Sequence, residues 1–265
     1  MIISLTTIPE RIQHIKPVIE SLISQTQPPE KILLWVPNDV EYEIPTFLNT
    51  DIVEIKRCKD IGPATKFIYT INELKPNQEF IVVDDDTIYS EFLIESLAKF
   101  PEIDAPKCVK GIHYQTGKPV RRRLMTEVDG SLKTKFLANK FSIGLTDIML
   151  GADGYILKPK YFDKNINNIP KEFRRYDDVW LGAYFDAYNI KKYVVPCRCL
   201  SYAQEKANIA NTLKTEKVEW VISLLNKIAK PHLRYIDDIH PIGGGTSIEH
   251  SYYLKVKKYI LERMK

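Results

Sequence analysis

The sequence predicts an α/β protein built on a mixed, mainly parallel sheet flanked by helices, with a helical C-terminal segment. Three observations predict it. Short, nearly unbroken apolar runs such as Lys31 to Val36 and Phe80 to Val83 read as strands buried on both faces. Segments with apolar residues at helical spacing alternate with these runs. The lengths between successive strands suit crossover helices, which parallel pairing requires.

In chain order, Ile2 to Leu5 reads as the first strand and Thr6, Thr7 and Pro9 as the turn after it. Ile12, Ile15, Ile19, Leu22 and Ile23 then fall on one face of a helix. After Gln27-Pro28-Pro29 comes the strand Lys31 to Val36, and Ile52 to Ile55 is a third, short strand. Gly62-Pro63-Ala64-Thr65-Lys66 opens a second helix that runs through Leu74. The strand Phe80 to Val83 follows and ends in Asp84-Asp85-Asp86. Open α/β sheets bind ligands at the carboxyl ends of their strands, which is where these aspartates lie.

Residues 110 to 130 read as strand, turn and strand, with Thr116-Gly117 and Asp129-Gly130 as turn signals. From Met149 to Leu157 an apolar run is interrupted by the glycines of Gly151-Ala152-Asp153-Gly154, a sign of backbone held close to a ligand or another chain. Asp177 and Asp178 precede Val179, Leu181 and Tyr184, so both acids sit at a helix N-terminus, where the dipole favours negative charge. Lys192 to Pro196 is a further strand. Val218, Val221, Ile222, Leu225 and Ile228 keep helical spacing, and residues 252 to 265 form a basic amphipathic tail.

With 265 residues, 44% of them apolar, the chain can bury one full core. The 38 basic and 34 acidic residues leave a net charge of +4, too mild to mark nucleic-acid binding, and Arg121-Arg122-Arg123 is one short cluster without a basic domain around it. Cys58, Cys108, Cys197 and Cys199 lack zinc-type spacing and read as reduced thiols. No secretory leader or membrane-length apolar run is apparent, so the expected location is the cytoplasm. The basic tail either packs on the main domain or meets a membrane peripherally from its cytosolic side.

Three consecutive carboxylates repel one another unless positive charge sits among them. This arrangement suits a hard divalent cation with oxygen ligands. An apolar strand ending in Asp84-x-Asp86 within an α/β half resembles the DxD motif of GT-A-fold, Rossmann-like glycosyltransferases. The loop Ser4-Leu5-Thr6-Thr7-Ile8-Pro9-Glu10-Arg11 is similar to the opening of such enzymes, and Gly62 to Lys66 to a segment that precedes their DxD. Tyr176-Asp177-Asp178-Val179-Trp180 resembles the acidic pair of the inverting members.

The resemblance implies a metal-dependent transfer of sugar from a nucleotide-diphosphate donor, with a UDP-sugar favoured, to a glycan or lipid-linked acceptor. It implies Mn²⁺ or Mg²⁺ as cofactor, with Asp86 as principal ligand and Asp84 nearer the nucleotide. Thr6, Thr7, Pro9, Arg11, Lys66, Asp84 and Asp85 would surround the donor. Asp178 would be the catalytic base and Asp177 would orient the acceptor, with Gly151, Asp153 and Trp180 beside it. Many relatives add a late histidine to the metal; His240 and His250 are the candidates here. The implied domain spans residues 1 to 205, with a nucleotide half over 1 to 90 and an acceptor half over 91 to 205. Residues 206 to 265 form a helical extension packed on it.

Two rival readings use the same residues. In a haloacid-dehalogenase-type phosphatase Asp84 would be the nucleophile, Asp86 the acid/base and Lys158 or Lys160 the phosphate clamp. Its first motif would normally open the chain, whereas a complete βαβ unit precedes Asp84 here. A catalytically inactive sugar-nucleotide or glycan-binding module is the other.

Overall fold

The computed structural model describes residues 1 to 41, 43 to 114, 119 to 123, 143 to 197, 202 to 203 and 246 to 264. Its first half contains β1 (Ile2–Thr6), α1 (Pro9–Ile12), α2 (Lys16–Ile23), β2 (Lys31–Pro37), β3 (Val53–Cys58), α3 (Thr65–Glu73) and β4 (Phe80–Val82). Next come β5 (Thr87–Ile88), α4 (Leu93–Ala98), β6 (Lys107–Cys108), β7 (Lys110–Ile112) and β8 (Pro119–Arg123). The later elements are β9 (Gly144–Thr146), β10 (Ile148–Met149), β11 (Tyr155–Leu157), α5 (Asp177–Ala187), β12 (Lys192–Val194), β13 (Pro196–Cys197), β14 (Tyr202–Ala203) and α6 (Thr246–Arg263).

The main sheet runs β3-β2-β1-β4-β11-β6-β12-β9. β3, β2, β1 and β4 are mutually parallel, and β11 then enters antiparallel to both β4 and β6. The chain leaves β1 toward β2 and β3, then returns to place β4 on the other side of β1. That reversal makes a switch point between the carboxyl ends of β1 and β4, where the diverging connections leave a crevice.

Alternation within the strands sorts the core into two layers. Leu33, Trp35, Phe80, Val82, Tyr155 and Leu157 face α3, α5 and α6, whereas Ile3, Leu5, Ile32, Leu34, Val36 and Ile81 face α2 and α4. Both faces being covered explains why the strands read as continuous apolar runs rather than alternating ones.

The helix expected over residues 12 to 23 is two helices. Pro17 lies at the start of α2, where its missing N–H costs nothing, and the chain turns between Ile12 and Lys16. The strand expected over 192 to 196 is likewise split into β12 and β13, which belong to different sheets. β7 and β8 pair antiparallel, as the strand-turn-strand reading requires. The turn signals at Thr116-Gly117 and Asp129-Gly130 and the helix expected over 218 to 228 lie outside the described residues. Among the described residues no helix is long and apolar enough to cross a membrane, and Cys58, Cys108 and Cys197 are buried free thiols.

α6 packs on α5 through Tyr253, Val256 and Ile260, all buried. The Tyr253 hydroxyl donates to the Asp186 carboxylate, which also pairs with Lys192 at 2.5 Å and faces Lys257 at 3.7 Å. The extension thereby fastens the helix that carries Asp177 and Asp178.

Candidate active site

A cleft of about 420 Å³ opens at the switch point. Thr6, Thr7, Ile8 and Arg11 line it from the end of β1, Asp84, Asp85 and Asp86 from the end of β4, Gly62, Pro63 and Lys66 from the entry to α3, and Asp177 from α5. Two acidic motifs distant in sequence therefore meet in one cleft.

Each aspartate of the triplet has a separate environment. Asp84 accepts a hydrogen bond from Lys66 Nζ at 2.5 Å, while its backbone N–H donates to the Tyr89 hydroxyl at 2.7 Å. Asp85 is buried and accepts from Thr7 Oγ1 and from Arg11, each at 2.7 Å. Burial raises the pKa of Asp85, against the lowering influence of Thr7 and Arg11. Asp86 is partly exposed and lies 3.5 Å from the same guanidinium. Arg11 thus bridges two of the three carboxylates.

Lys66 is the centre of the cleft, with only 3% of its surface exposed. Besides Asp84, its Nζ lies 2.7 Å from Asp177 Oδ2, close enough for a strong ion pair although outside hydrogen-bonding alignment. Burial works against its charge, yet the Asp177 and Asp84 carboxylates hold its pKa well above the ordinary lysine value. The backbone beneath it is fixed by a buried network. Ser4 Oγ donates to the Lys66 carbonyl at 2.5 Å and meets Thr70 Oγ1 at 2.6 Å, and Trp35 Nε1 donates to Thr70 Oγ1 at 2.8 Å. Gly62 begins the turn into α3 with φ +81°, a left-handed conformation that glycine adopts without strain.

Asp178 Oδ2 accepts the Gly151 N–H at 3.0 Å, and Oδ1 is buried without a hydrogen-bond partner. Its pKa is pushed well above the usual carboxylate range by burial and then by the neighbouring Asp177 charge, with Lys66 opposing. Asp177 is also raised, by burial against Lys66. Neither acid caps α5 through its side chain. Gly151 passes close to the charged cluster: an added Cβ would stand 2.8 Å from Lys66 Nζ and 2.9 Å from Asp84 Oδ1, so those side-chain ends would have to shift.

Asp178 and Gly151, joined to each other, lie behind the cleft lining, and three further expected residues lie elsewhere. Trp180 is buried in the core against Phe173 and Tyr259, because the turn of α5 after Asp177 is covered by α6. Asp153 lies outside the cleft lining, its carboxylate 3.5 Å from Lys110 Nζ. Pro9 serves as the first residue of α1, and Ile8 takes the place on the cleft wall. His240 lies outside the described residues, and His250 falls on α6 where only the backbone is described. The lysine clamp of the phosphatase reading is overturned. Lys158 and Lys160 both pair with Asp104, beyond Leu157, which is registered with Phe80 at the opposite end of β4 from Asp84.

Two residues were not anticipated. Tyr89 ties the aspartate strand to the glycine turn, and Tyr155 brings a buried, unpartnered hydroxyl into the electrostatic environment of Lys66, Asp178, Asp177 and Asp84. As sequence, both look like ordinary core aromatics, with no signal to separate them.

Asp84 and Asp86 offer hard oxygen donors on the cleft wall, the chemistry that suits Mg²⁺ or Mn²⁺. Among the described residues no three acidic, histidine or cysteine side chains form a ready-made ligand group. An ion here would complete its shell with phosphate oxygens and water, a common arrangement for Mg²⁺.

The parallel strands and their carboxylate-rimmed crevice define an α/β protein whose candidate ligand site lies at the strand carboxyl ends. No protein-family model and no curated protein matches the chain. Among solved structures, the crystal structure of S. aureus TarS 1-349 is similar at TM-score 0.48 and 15% identity, over 76% of this chain and 59% of that one. The same fragment in complex with UDP gives 0.47 at 15% identity, again over 76% and 59%. The longer S. aureus TarS structure gives 0.46 at 15% identity, over 76% of this chain and 36% of that one. The chain thus spans less than two thirds of each, and its fold is defined by its own strand pairing.

Proposed function

We propose that the chain is a glycosyltransferase of GT-A type that moves a sugar from a nucleotide-diphosphate donor to a glycan or lipid-linked acceptor, with inversion. One observation carries the reading: the acidic strand end and the acidic helix start share a single buried lysine, with Asp84 at 2.5 Å and Asp177 at 2.7 Å from Lys66. Donor-holding and acceptor-activating groups would then adjoin across one cleft.

In this reading Thr6, Thr7 and Arg11 receive the nucleoside side of the donor, and Arg11 and Lys66 face its diphosphate. The resemblance to such transferases favours uridine. Asp86 and Asp84 would hold Mn²⁺ or Mg²⁺ together with phosphate oxygens. That ion would offset the charge of the departing diphosphate.

The acceptor hydroxyl attacks the anomeric carbon while the bond from that carbon to the phosphate oxygen breaks. Its proton passes to Asp178, whose Oδ2 is fixed by Gly151 and whose Oδ1 has no competing partner. Asp177, paired with Lys66, is the weaker candidate base and orients the acceptor.

A screen of nucleotide sugars tests the reading through thermal stabilisation and metal-stimulated donor hydrolysis. A UDP-sugar should raise the melting temperature and be hydrolysed slowly; rapid turnover of a simple phosphate ester with no response to any nucleotide sugar would rule the proposal out. A membrane setting for the acceptor is favoured by Leu254 and Leu261, exposed on α6 beside Lys257 and Lys258. Flotation with anionic liposomes checks this, and identical behaviour without residues 251 to 265 counts against it.

A further inference from the structure

We infer that Lys66 is a resident counter-ion that keeps a divalent cation out of the aspartate cluster until a diphosphate enters with it. The inference rests on the donor reading above and assigns Lys66 a role in the order and coupling of binding.

The ammonium already occupies the space between the two acidic motifs, at 2.5 Å from Asp84 Oδ1 and 2.7 Å from Asp177 Oδ2. Its stem is buried, and the carbonyl of the same residue is held by Ser4. The Gly151 backbone closes over it so tightly that a single added carbon would lie 2.8 Å from Nζ. Asp85 is engaged by Thr7 and Arg11, and Arg11 also lies 3.5 Å from Asp86. A cation arriving alone therefore meets two fixed positive charges and must take Asp84 from its lysine. A cation arriving with a diphosphate brings new anionic partners for Lys66 and Arg11, and Asp84 is released to the metal. Binding of ion and nucleotide should consequently be coupled, each tightening the other by the same factor.

The test is a titration with Mn²⁺ alone, followed by the loss of the free-ion electron paramagnetic resonance signal, on wild type, Lys66→Met and Lys66→Arg. Without nucleotide, Lys66→Met should bind Mn²⁺ roughly tenfold or more tightly than wild type, because a like charge a few ångströms away has been removed. Lys66→Arg should remain close to wild type. UDP should tighten Mn²⁺ on wild type by about tenfold or more and on Lys66→Met by less. Equal affinities of wild type and Lys66→Met for Mn²⁺ alone would overturn the inference.

Should Lys66→Met fail to melt cooperatively, Lys66→Gln serves in its place, since it keeps an N–H donor for Asp84 and Asp177 while removing the positive charge. Tighter binding of Mn²⁺ alone supports the inference and unchanged binding overturns it. A failure of the donor reading looks different: UDP would then bind none of the proteins at any Mn²⁺ concentration, while the nucleotide-free comparison would still judge Lys66.

Discussion

The Tyr89 hydroxyl donates to the Gly151 carbonyl at 3.1 Å and accepts the Asp84 N–H at 2.7 Å, so one phenol joins the strand end to the turn that holds Asp178. Tyr89→Phe removes both bonds and leaves a buried N–H and C=O, a loss of about 1–3 kcal/mol. Urea unfolding should show that loss, and the transfer rate should fall about tenfold as the two motifs lose their common anchor. A variant with wild-type stability and rate would show that the hydroxyl is dispensable.

Asp178→Asn should lower transfer by about 10²–10⁴ while donor binding, read by thermal shift, persists. The same variant has a pH signature. Because the folded pKa of Asp178 is raised, the folded protein keeps a proton that the unfolded chain releases, and stability falls as pH rises from the ordinary carboxylate range toward the folded value. The melting temperature of Asp178→Asn should therefore gain on wild type as pH rises from the ordinary carboxylate range toward the folded pKa of Asp178. A gap that stays constant over that range would mean Asp178 is ionised throughout.

Asp85 ties the end of β4 to the opening loop. Asp85→Ala strips Thr7 Oγ1 and Arg11 of their shared acceptor, at a cost of about 1–2 kcal/mol, since Arg11 is partly exposed and screened. Denaturation should register the loss, with Asp85→Asn recovering part of it through the Thr7 bond. Equal stabilities for all three proteins would dismiss the pairing as a contributor.

Thr70→Val tests the support beneath Lys66. It deprives Trp35 Nε1 of its 2.8 Å acceptor and Ser4 of a neighbour, which should cost about 1 kcal/mol in chemical denaturation. Transfer should fall severalfold because Ser4, which holds the Lys66 carbonyl, loses the hydroxyl that positions it. A stability loss with an unaltered rate would separate the network from the site.

Much of the framework was legible because its signals are local. Apolar runs such as Lys31 to Val36 declare doubly buried strands, and the aspartates follow directly on one of them. Apolar spacing across Ile12, Ile15 and Ile19 hid the break before α2, which Pro17, at the start of that helix, marks. The Lys66–Asp177 pair could not be read, since residues from α3 and α5 meet only through sheet order. Trp180 misled for a similar reason: Asp177, three residues earlier, faces the cleft, but helical geometry turns the indole under α6. Tyr89 and Tyr155 gave no warning because a buried tyrosine ring has the same pattern whether or not its hydroxyl matters.

The seating of α6 on α5 also bears on how the protein is made. The covering helix starts at Thr246, well after Ala187 ends the one beneath, so at ribosomal speeds of about 5–20 residues per second α5 waits several seconds for its lid. During that interval Trp180, Tyr184 and Phe173 remain an uncovered apolar face, a ready target for a chaperone, and the acid-bearing helix lacks its final support. Biosynthesis thus orders the assembly of the cleft: β1 to β4 can close early, whereas Asp177 and Asp178 gain their final setting only after the covering helix has been synthesised.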